Sequence, residues 1–585
     1  MKHIAIVGVG PRGLSALENF FTLFSENPSL SKVHFTLFEN ARLPGSGSIW
    51  DTEQPTTNWL NISERALKNL PGRPSLTMGS IQIPSFPSYT EWLPESEQSP
   101  PEKAPDRFPP RSKMGNYLQK RYSSIANILI ANNLVTLVTT SVKDINVREQ
   151  QIILEDYNSE SYVFDEVLLT IGHQPTELSD QIRKWKEYEE NNPNVLLFEK
   201  SYPAEDISNT KHVDQNSVVG IRGFGLAMID TVRALTIGRG GKFTIENDKT
   251  LESAFVSGEN VPKKIVAFSL DGNPMAPKPL NAQIDERYTP TANEIREFAQ
   301  KIEKAASDRE GTTSDMFLKE AIGTIATRVY CNLDDNSNTA IASAEVFQAV
   351  VNWLTDESID HPLIQSVNNS AYENMQAFTQ MALGKEAVSL DYCIGQVWRH
   401  CQPTLYEKFA HANLSGEVIA SVVSLDERIK RYSYGPPLES TQQLLALLKA
   451  DILTLDFIQD PEINMKNNGW ELSSNGNEIT VDTMINSVLD PPRLLDVTSP
   501  IILNLLSNSL VEPVHSELGI HTKRNACIEW SEGKNEIPLA VLGRLSKGSV
   551  LGVDAILECF SPNERAWAQG AVERLIAEEK LITSQ

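Results

Sequence analysis

The chain opens with His3-Ile4-Ala5-Ile6-Val7-Gly8-Val9-Gly10-Pro11-Arg12-Gly13-Leu14-Ser15-Ala16-Leu17-Glu18-Asn19-Phe20, an apolar strand running through three spaced glycines into a helix. Gly8 permits the tight turn, Gly10 lets the backbone approach a pyrophosphate, and Gly13 lets helix and strand pack closely. Pro11 and Arg12 complete the turn, and the helix N-terminus offers free N–H groups and a positive dipole end to phosphates. A second strand, residues 33–38, ends in Glu39, whose carboxylate can accept from both ribose hydroxyls. Together these read as a dinucleotide-binding unit. A Gly-rich turn in an ordinary βα unit would leave Glu39 without a reason.

The same opening does not read as a secretory signal, because three glycines and a proline interrupt it and no small-residue cleavage site follows. A cytoplasmic location is expected. At 585 residues the chain exceeds one hydrophobic core, so two or three domains are expected. No apolar run approaches the ~20 residues that span a bilayer. A formal net charge of −24 speaks against nucleic acid or an anionic membrane as partner, since both call for a basic face. The partner expected is a small molecule; a homo-oligomer is left open. Five scattered cysteines without a CxxC fit a reducing compartment and argue against a disulfide-exchanging flavoenzyme. No His/Cys/acid cluster has metal-ligand spacing, so no metal is expected.

Downstream, residues 45–51 (GSGSIWD) and 58–63 (NWLNIS) mix glycines with aromatics and lack a helix or strand period. They suit either a backbone lying against a flat ligand, with Trp50 and Asn58 near it, or a surface loop. The Pro-rich run 83–111 reads as a surface excursion ending at Arg111. Residues 135–170 alternate short β runs with turns, a small meander returning the chain to the sheet and ending in Thr170-Ile171-Gly172-His173-Gln174-Pro175. A second glycine turn follows the strand 217–222, at Gly223-Phe224-Gly225, and runs into a helix. It lacks a third glycine and its acid, Asp230, lies inside the helix, so a second nucleotide site and a structural βα turn both remain open. Arg239 and Lys242 near Gly240-Gly241 either meet a phosphate or close a helix. From residue 291 the period becomes helical, and Trp353 and Trp398 read as core. Strand signals return at 463–488 and again at 537–542, followed by Gly548 and Asp554 and a final helix at 563–580.

The expected fold class is therefore α/β, with two Rossmann-like folds and a large helical insert. The expected division is 1–176 with 461–585 for the first nucleotide fold, 177–290 for the second, and 291–460 for a helical insert or substrate cap. The plan is that of flavoproteins with one FAD fold and one nicotinamide fold, Gly548 and Asp554 then finishing the flavin pocket. The segments IVGVGPRGLSALE, FPPRSKMGNYL, VVGIRGFGLAMIDTVRALTIGRGGKF and RYSYGPP resemble a bacterial FAD/NAD(P)-binding monooxygenase family. That family includes the aspartate N-monooxygenase (nitrosuccinate synthase) and an FAD-dependent urate hydroxylase. The TIGHQP segment is also similar to the hinge between the FAD and NADPH folds of class B monooxygenases.

The resemblance implies FAD, NADPH or NADH, and O2 as reactants, with oxygen transfer through a flavin C4a-hydroperoxide to a small polar nitrogenous substrate, foremost an amino-acid amine. A purine such as urate is the alternative, and a non-catalytic flavin-binding or redox-sensing protein is a third reading. His173 and Asn61 are the candidate catalytic residues, with Asn58 and Arg111 on the same side of the flavin; for His173, closing a βα loop is an equal alternative. The expected cofactor residues are Gly8, Gly10, Pro11, Arg12, Gly13, Glu39, Trp50, Asn58, Arg111, Gly172, Gly223, Gly225, Arg239, Gly548 and Asp554. One departure stands out. Many two-dinucleotide flavoenzymes follow the coenzyme-domain strand with Ser-Arg, whereas this chain has Ser269-Leu270.

Overall fold

The computed structural model describes residues 1–27, 33–98, 101–148, 151–333, 341–529 and 538–583. Ile537, in the expected strand 537–542, and residues 99–100, in the Pro-rich run, lie outside these. Two five-stranded parallel sheets organise the chain. The first has the order Val135–Val138, Val33–Phe38, Lys2–Val7, Glu166–Leu169, Leu539–Val541. Ile4, Ala5 and Ile6 are fully buried, as a parallel strand covered on both faces requires. The helix Pro11–Ser25 starts at the end of Lys2–Val7 and buries Leu14, Leu17, Phe20 and Phe21. Its neighbour is the last helix, Pro562–Thr583, whose buried Trp567 meets Phe20. An antiparallel meander, Val142–Arg148, Gln151–Asp156 and Ser161–Phe164, fills the expected place before the return strand.

The second sheet has the order Leu196–Phe198, Thr483–Asn486, Val218–Arg222, Lys264–Phe268, Leu453–Thr454. This moves a boundary. The division at 461 gave residues 463–488 to the first nucleotide fold, yet Thr483–Asn486 pairs with Val218–Arg222 in the second sheet. The apolar run fits a buried strand in either sheet, and only pairing decides. Between Lys264–Phe268 and Leu453–Thr454 lies the helical insert, with helices Ala292–Ser307, Met316–Cys331, Ser343–Thr355, Ala371–Ala382, Leu390–Phe409, Gly416–Ser433 and Leu438–Lys449 among the described residues. Capping boxes at Thr291/Glu294 and Ser370/Glu373 start two of them. Trp353 and Trp398 are core, Trp398 donating from Nε1 to the buried Asp426 at 2.9 Å.

The Pro-rich run is more than a surface excursion. Ser88 and Glu91 form a capping box for a single turn, Tyr89–Trp92, whose buried Tyr89 meets Tyr117. Proline spacing hid that anchor.

The insert is tied to the C-terminal segment at His411, a left-handed residue (φ +56°) whose amide donates to Ser549 and whose Nδ1 lies 2.8 Å from the Thr522 carbonyl. Burial lowers its pKa to about 4, against the Thr522 contact, and Arg524 and His521 add to the lowering while Glu529 opposes it. Folded pKa thus lies below the unfolded value of 6.5. Between these values the unfolded chain binds more protons, so His411 costs stability progressively as pH falls from 6.5 towards 4. Asparagine tolerates the left-handed backbone, and His411→Asn is expected to flatten this part of the stability–pH curve, read as denaturation midpoints at pH 7.5, 5.5 and 4.5.

Candidate functional site

At the first glycine turn the structure separates three requirements. Gly8 sits at φ +88°, and a Cβ there would lie 2.7 Å from the Thr170 carbonyl oxygen. A Cβ on Gly13 would collide with the Gly8 carbonyl. Both glycines are demanded by the protein's own packing. Gly10 is not: a Cβ there would make an ordinary 3.6 Å contact with the Cα of Gly47. Two bare Cα atoms therefore face each other across the end of the strand. Pro11 is the first residue of the helix, no side chain caps that helix, and its first turn holds no acid. Its N–H groups stay open to an anion. Glu39 Oε2 accepts from Val9 N–H at 2.6 Å and Oε1 from Ala41 N–H at 2.8 Å, one bond per oxygen, which leaves lone pairs for hydroxyls. These residues fit a dinucleotide, with the pyrophosphate over Gly10 and a ribose at Glu39.

Arg12 is a correction. Its guanidinium turns inward, donating to Glu564 Oε1 at 2.6 Å and to the Glu558 carbonyl at 3.0 Å. It fastens the first helix to the last one and is not directed at phosphate, because side chains of a helix point away from its axis while its N–H groups point along it. Trp50 is half-buried, its carbonyl lying where a Cβ on Gly115 would fall. Asn58 is buried with Nδ2 3.2 Å from Gln54 Oε1, while its Oδ1 has no hydrogen-bond partner. A buried acceptor without a donor is one a bound ligand can satisfy. Asn61 Nδ2 donates to the Tyr434 carbonyl at 3.1 Å, linking the loop to the insert.

Arg111 is also corrected. It donates to Asp230 Oδ2 at 2.5 Å and to the Trp59 carbonyl at 3.2 Å, and Tyr202 Oη donates to the same Asp230 oxygen at 2.6 Å. Arg233 lies over the Trp59 ring at 3.8 Å. This group ties the segment that opens the helix Arg111–Ala131 to the residues around the second sheet, so the Arg111 side chain is engaged by protein groups.

At the second turn, Gly223 has φ +117°, and a Cβ there would lie 2.8 Å from Ser487 Oγ. Gly225 has open space and precedes the helix Leu226–Leu235, which again has neither a side-chain cap nor an acid in its first turn. Arg239 is removed as a phosphate ligand: it donates to the carbonyls of Asn260 at 2.8 Å, Ser208 at 2.7 Å, Thr210 at 3.2 Å, and Val213. Backbone carbonyls take those donors. Gly172 (φ +65°) and His173 line a hollow of about 250 Å³, counted out to open solvent, with Thr176, Asp490 and Arg544. His173 is exposed at the edge of this hollow, on the same rim as Arg544. Gly548 (φ +106°) packs against Leu518. Asp554 is bound by Lys430 and Arg544, each at 2.7 Å. Burial works against its charge, but these cations hold its carboxyl well below the usual range. Its carboxylate pins the C-terminal segment to the insert, which replaces the ribityl role expected of it.

One cluster gave no sign in the sequence. Asp285 accepts from Arg399, stands 3.0 Å from Arg65 Nη2 and 3.1 Å from His400 Nε2, and Arg65 also binds Asp106 at 2.7 Å. Burial would raise the Asp285 carboxyl, but Arg399 and His400 hold it well below its usual range. Lys278, beside Arg399, is half-buried; its Nζ donates to the Gly435 carbonyl, the residue after the one that Asn61 touches. Burial, and then Arg399, push its pKa well below the usual lysine value. Among the described residues Lys278 has no carboxylate in ion-pair contact.

Comparison with known proteins agrees with the first sheet. Residues 5–174 match the family model described as FAD-NAD(P)-binding. The chain is 25% identical over 572 residues to the nitrosuccinic acid synthase of Aspergillus oryzae, covering 89% of this chain and 83% of that protein. It is 26% identical over 275 residues to an L-aspartate N-monooxygenase (nitrosuccinate-forming) of Streptomyces cremeus, covering 41% of this chain and 38% of that one. Among solved structures, the ornithine hydroxylase from Pseudomonas aeruginosa aligns over 98% of this chain and 99% of its own at 9% identity, with a TM-score of 0.44. The resemblance drawn from the motifs is the one these relatives return. The matched residues 5–174 include the glycine turn Gly8, Gly10 and Gly13 and the acid Glu39.

Proposed function

We propose that the protein is an FAD-dependent, NADPH-consuming N-monooxygenase whose substrate is a small amino acid bearing a second carboxylate. The observation that carries this reading is the cluster of half-buried basic side chains where the loop 58–65 meets the insert. Arg65, Arg399 and Lys278 converge there against the two carboxylates Asp106 and Asp285. An arriving carboxylate supplies the partner that Lys278 lacks, and charge-assisted bonds in such a site are strong. FAD, when bound, takes electrons from NADPH and activates O2, giving one oxygen to a nucleophilic nitrogen and the other to water. The chain's own residues bind and orient. Gly10 and the open helix N-terminus seat the pyrophosphate, Glu39 a ribose, and Asn58 Oδ1 accepts from the ligand at the loop. Lys278 Nζ holds the substrate, and Asp285 fixes the guanidiniums of Arg65 and Arg399.

The similarity to aspartate N-oxygenating relatives supports the same reading. The purine alternative finds less support, since the Trp59 face is occupied by Arg233. The test is NADPH oxidation by the FAD-loaded protein under 18O2, with L-aspartate, L-glutamate, L-alanine and urate as substrates. Acceleration by an acidic amino acid, with 18O appearing on its nitrogen, is expected. Acceleration by urate alone would overturn the proposal. Lys278→Met is expected to raise KM for the amino acid by roughly 10- to 100-fold while NADPH still reduces the flavin at the wild-type rate.

A further inference from the structure

The two parallel sheets can be compared residue by residue at their glycine turns. In the first, Val7 pairs with Phe38, Gly8 N–H donates to the Phe38 carbonyl at 2.8 Å, and the next residue of the neighbouring strand is Glu39. In the second, Arg222 pairs with Phe268, Gly223 N–H donates to the Phe268 carbonyl at 2.7 Å, and the next residue is Ser269. Ser269 therefore stands where the first sheet has its ribose acid. A carboxylate at that position accepts from a 2′-hydroxyl and repels a 2′-phosphate, so serine removes the repulsion. The Ser269 hydroxyl is engaged by Gly272 N–H at 3.1 Å, and Leu270, 79% exposed, brings no charge.

The charge arrives from elsewhere. Asp271 binds Arg431, which lies in the last turn of the insert helix Gly416–Ser433 and stands 3.5 Å from Glu357. Residues 271 and 431 are 160 positions apart in sequence, joined because the insert leaves the sheet just after this strand. We infer that Arg431 recognises the 2′-phosphate of the coenzyme's adenosine ribose, with Asp271 as its positioning residue, and so selects NADPH over NADH. This rests on the reading of the second glycine turn as the coenzyme seat. The Asp271 side chain is 45% exposed, so solvent screens the pair. A phosphate dianion carries more charge than a single carboxylate and can take guanidinium N–H groups that Asp271 does not, so Asp271 can hold Arg431 while the phosphate binds. Of the two cations that the sequence offered for this task, Arg239 is held by five backbone carbonyls, and Lys242 is exposed at the start of the strand Lys242–Asn247.

The experiment is calorimetric titration of the FAD-loaded protein with 2′,5′-ADP and with 5′-AMP, which differ only by the 2′-phosphate. Wild type is expected to bind 2′,5′-ADP roughly 10- to 100-fold more tightly. Arg431→Met is expected to erase that difference and leave 5′-AMP affinity unchanged. Ser269→Glu, which recreates the Glu39 arrangement without touching the insert, is expected to weaken 2′,5′-ADP selectively and serves if the first variant fails to fold. Equal affinities in wild type, or a preference that survives Arg431→Met, would overturn the assignment. Binding of neither nucleotide would overturn the coenzyme-seat reading beneath it as well.

Discussion

Gly10→Ala is expected to yield a folded protein that no longer retains FAD. The two halves of that expectation come from different atoms. Gly10 has ordinary extended angles, and its new methyl would meet only the Cα of Gly47 at 3.6 Å, so the apoprotein tolerates it. The same methyl would stand on the bare backbone beside the helix N-terminus, where a bound pyrophosphate needs close approach. Flavin absorbance per protein should fall close to zero while the thermal midpoint of the apoprotein matches that of wild-type apoprotein. Gly8→Ala and Gly13→Ala provide the contrast. Each places a methyl against a backbone carbonyl, that of Thr170 or that of Gly8, and Gly8 also sits at φ +88°, so both are expected to lower the midpoint of the apoprotein itself. A Gly10→Ala protein with a full complement of FAD would mean that the flavin sits elsewhere.

Glu18→Ala is expected to cost about 3–5 kcal/mol of stability. Glu18 lies on the first helix and is buried between two arginines, with Arg121 Nη2 at 2.7 Å and Arg73 Nη1 at 3.1 Å. Removing it leaves two guanidiniums buried beside each other without their shared carboxylate, and it loosens the segments around residues 71–73 and 121 from the first helix. The exposed pair Lys186–Glu199, 2.7 Å apart, should by contrast lose little stability when Glu199 is replaced by Ala, because solvent screens it. Urea midpoints for both variants, with the slope of the transition held constant, separate the two cases.

The first nucleotide fold was legible in the sequence because its signals are local. Strand, glycines, helix, second strand and acid all fall before residue 40, and each has a steric or electrostatic reason that one stretch of chain displays. The second glycine turn was legible for the same reason. What escaped the sequence was assignment at a distance. Residues 483–486 read correctly as a strand, but whether they paired with 166–169 or with 218–222 depends on partners several hundred residues away. Arg12, Arg239 and Asp554 each put a charge near a glycine-rich segment, which in sequence suggests a ligand. Each instead meets protein groups that the sequence does not place nearby: Glu564, the carbonyls of residues 208–213 and 260, and Lys430. The Asp285 cluster is drawn from residues 65, 106, 278, 285, 399 and 400, none of which forms a spaced motif with the others. Only the fold brings these residues together.

The central claim is a bound FAD that a nicotinamide coenzyme reduces and that oxygen reoxidises. It is tested most directly by the visible spectrum of the purified protein, taken anaerobically before and after addition of NADPH, and again after air is admitted. The account predicts an oxidised flavin spectrum that bleaches with NADPH and returns with oxygen. A protein without flavin absorbance after incubation with FAD, or a bound flavin that NADPH leaves unbleached, would contradict it.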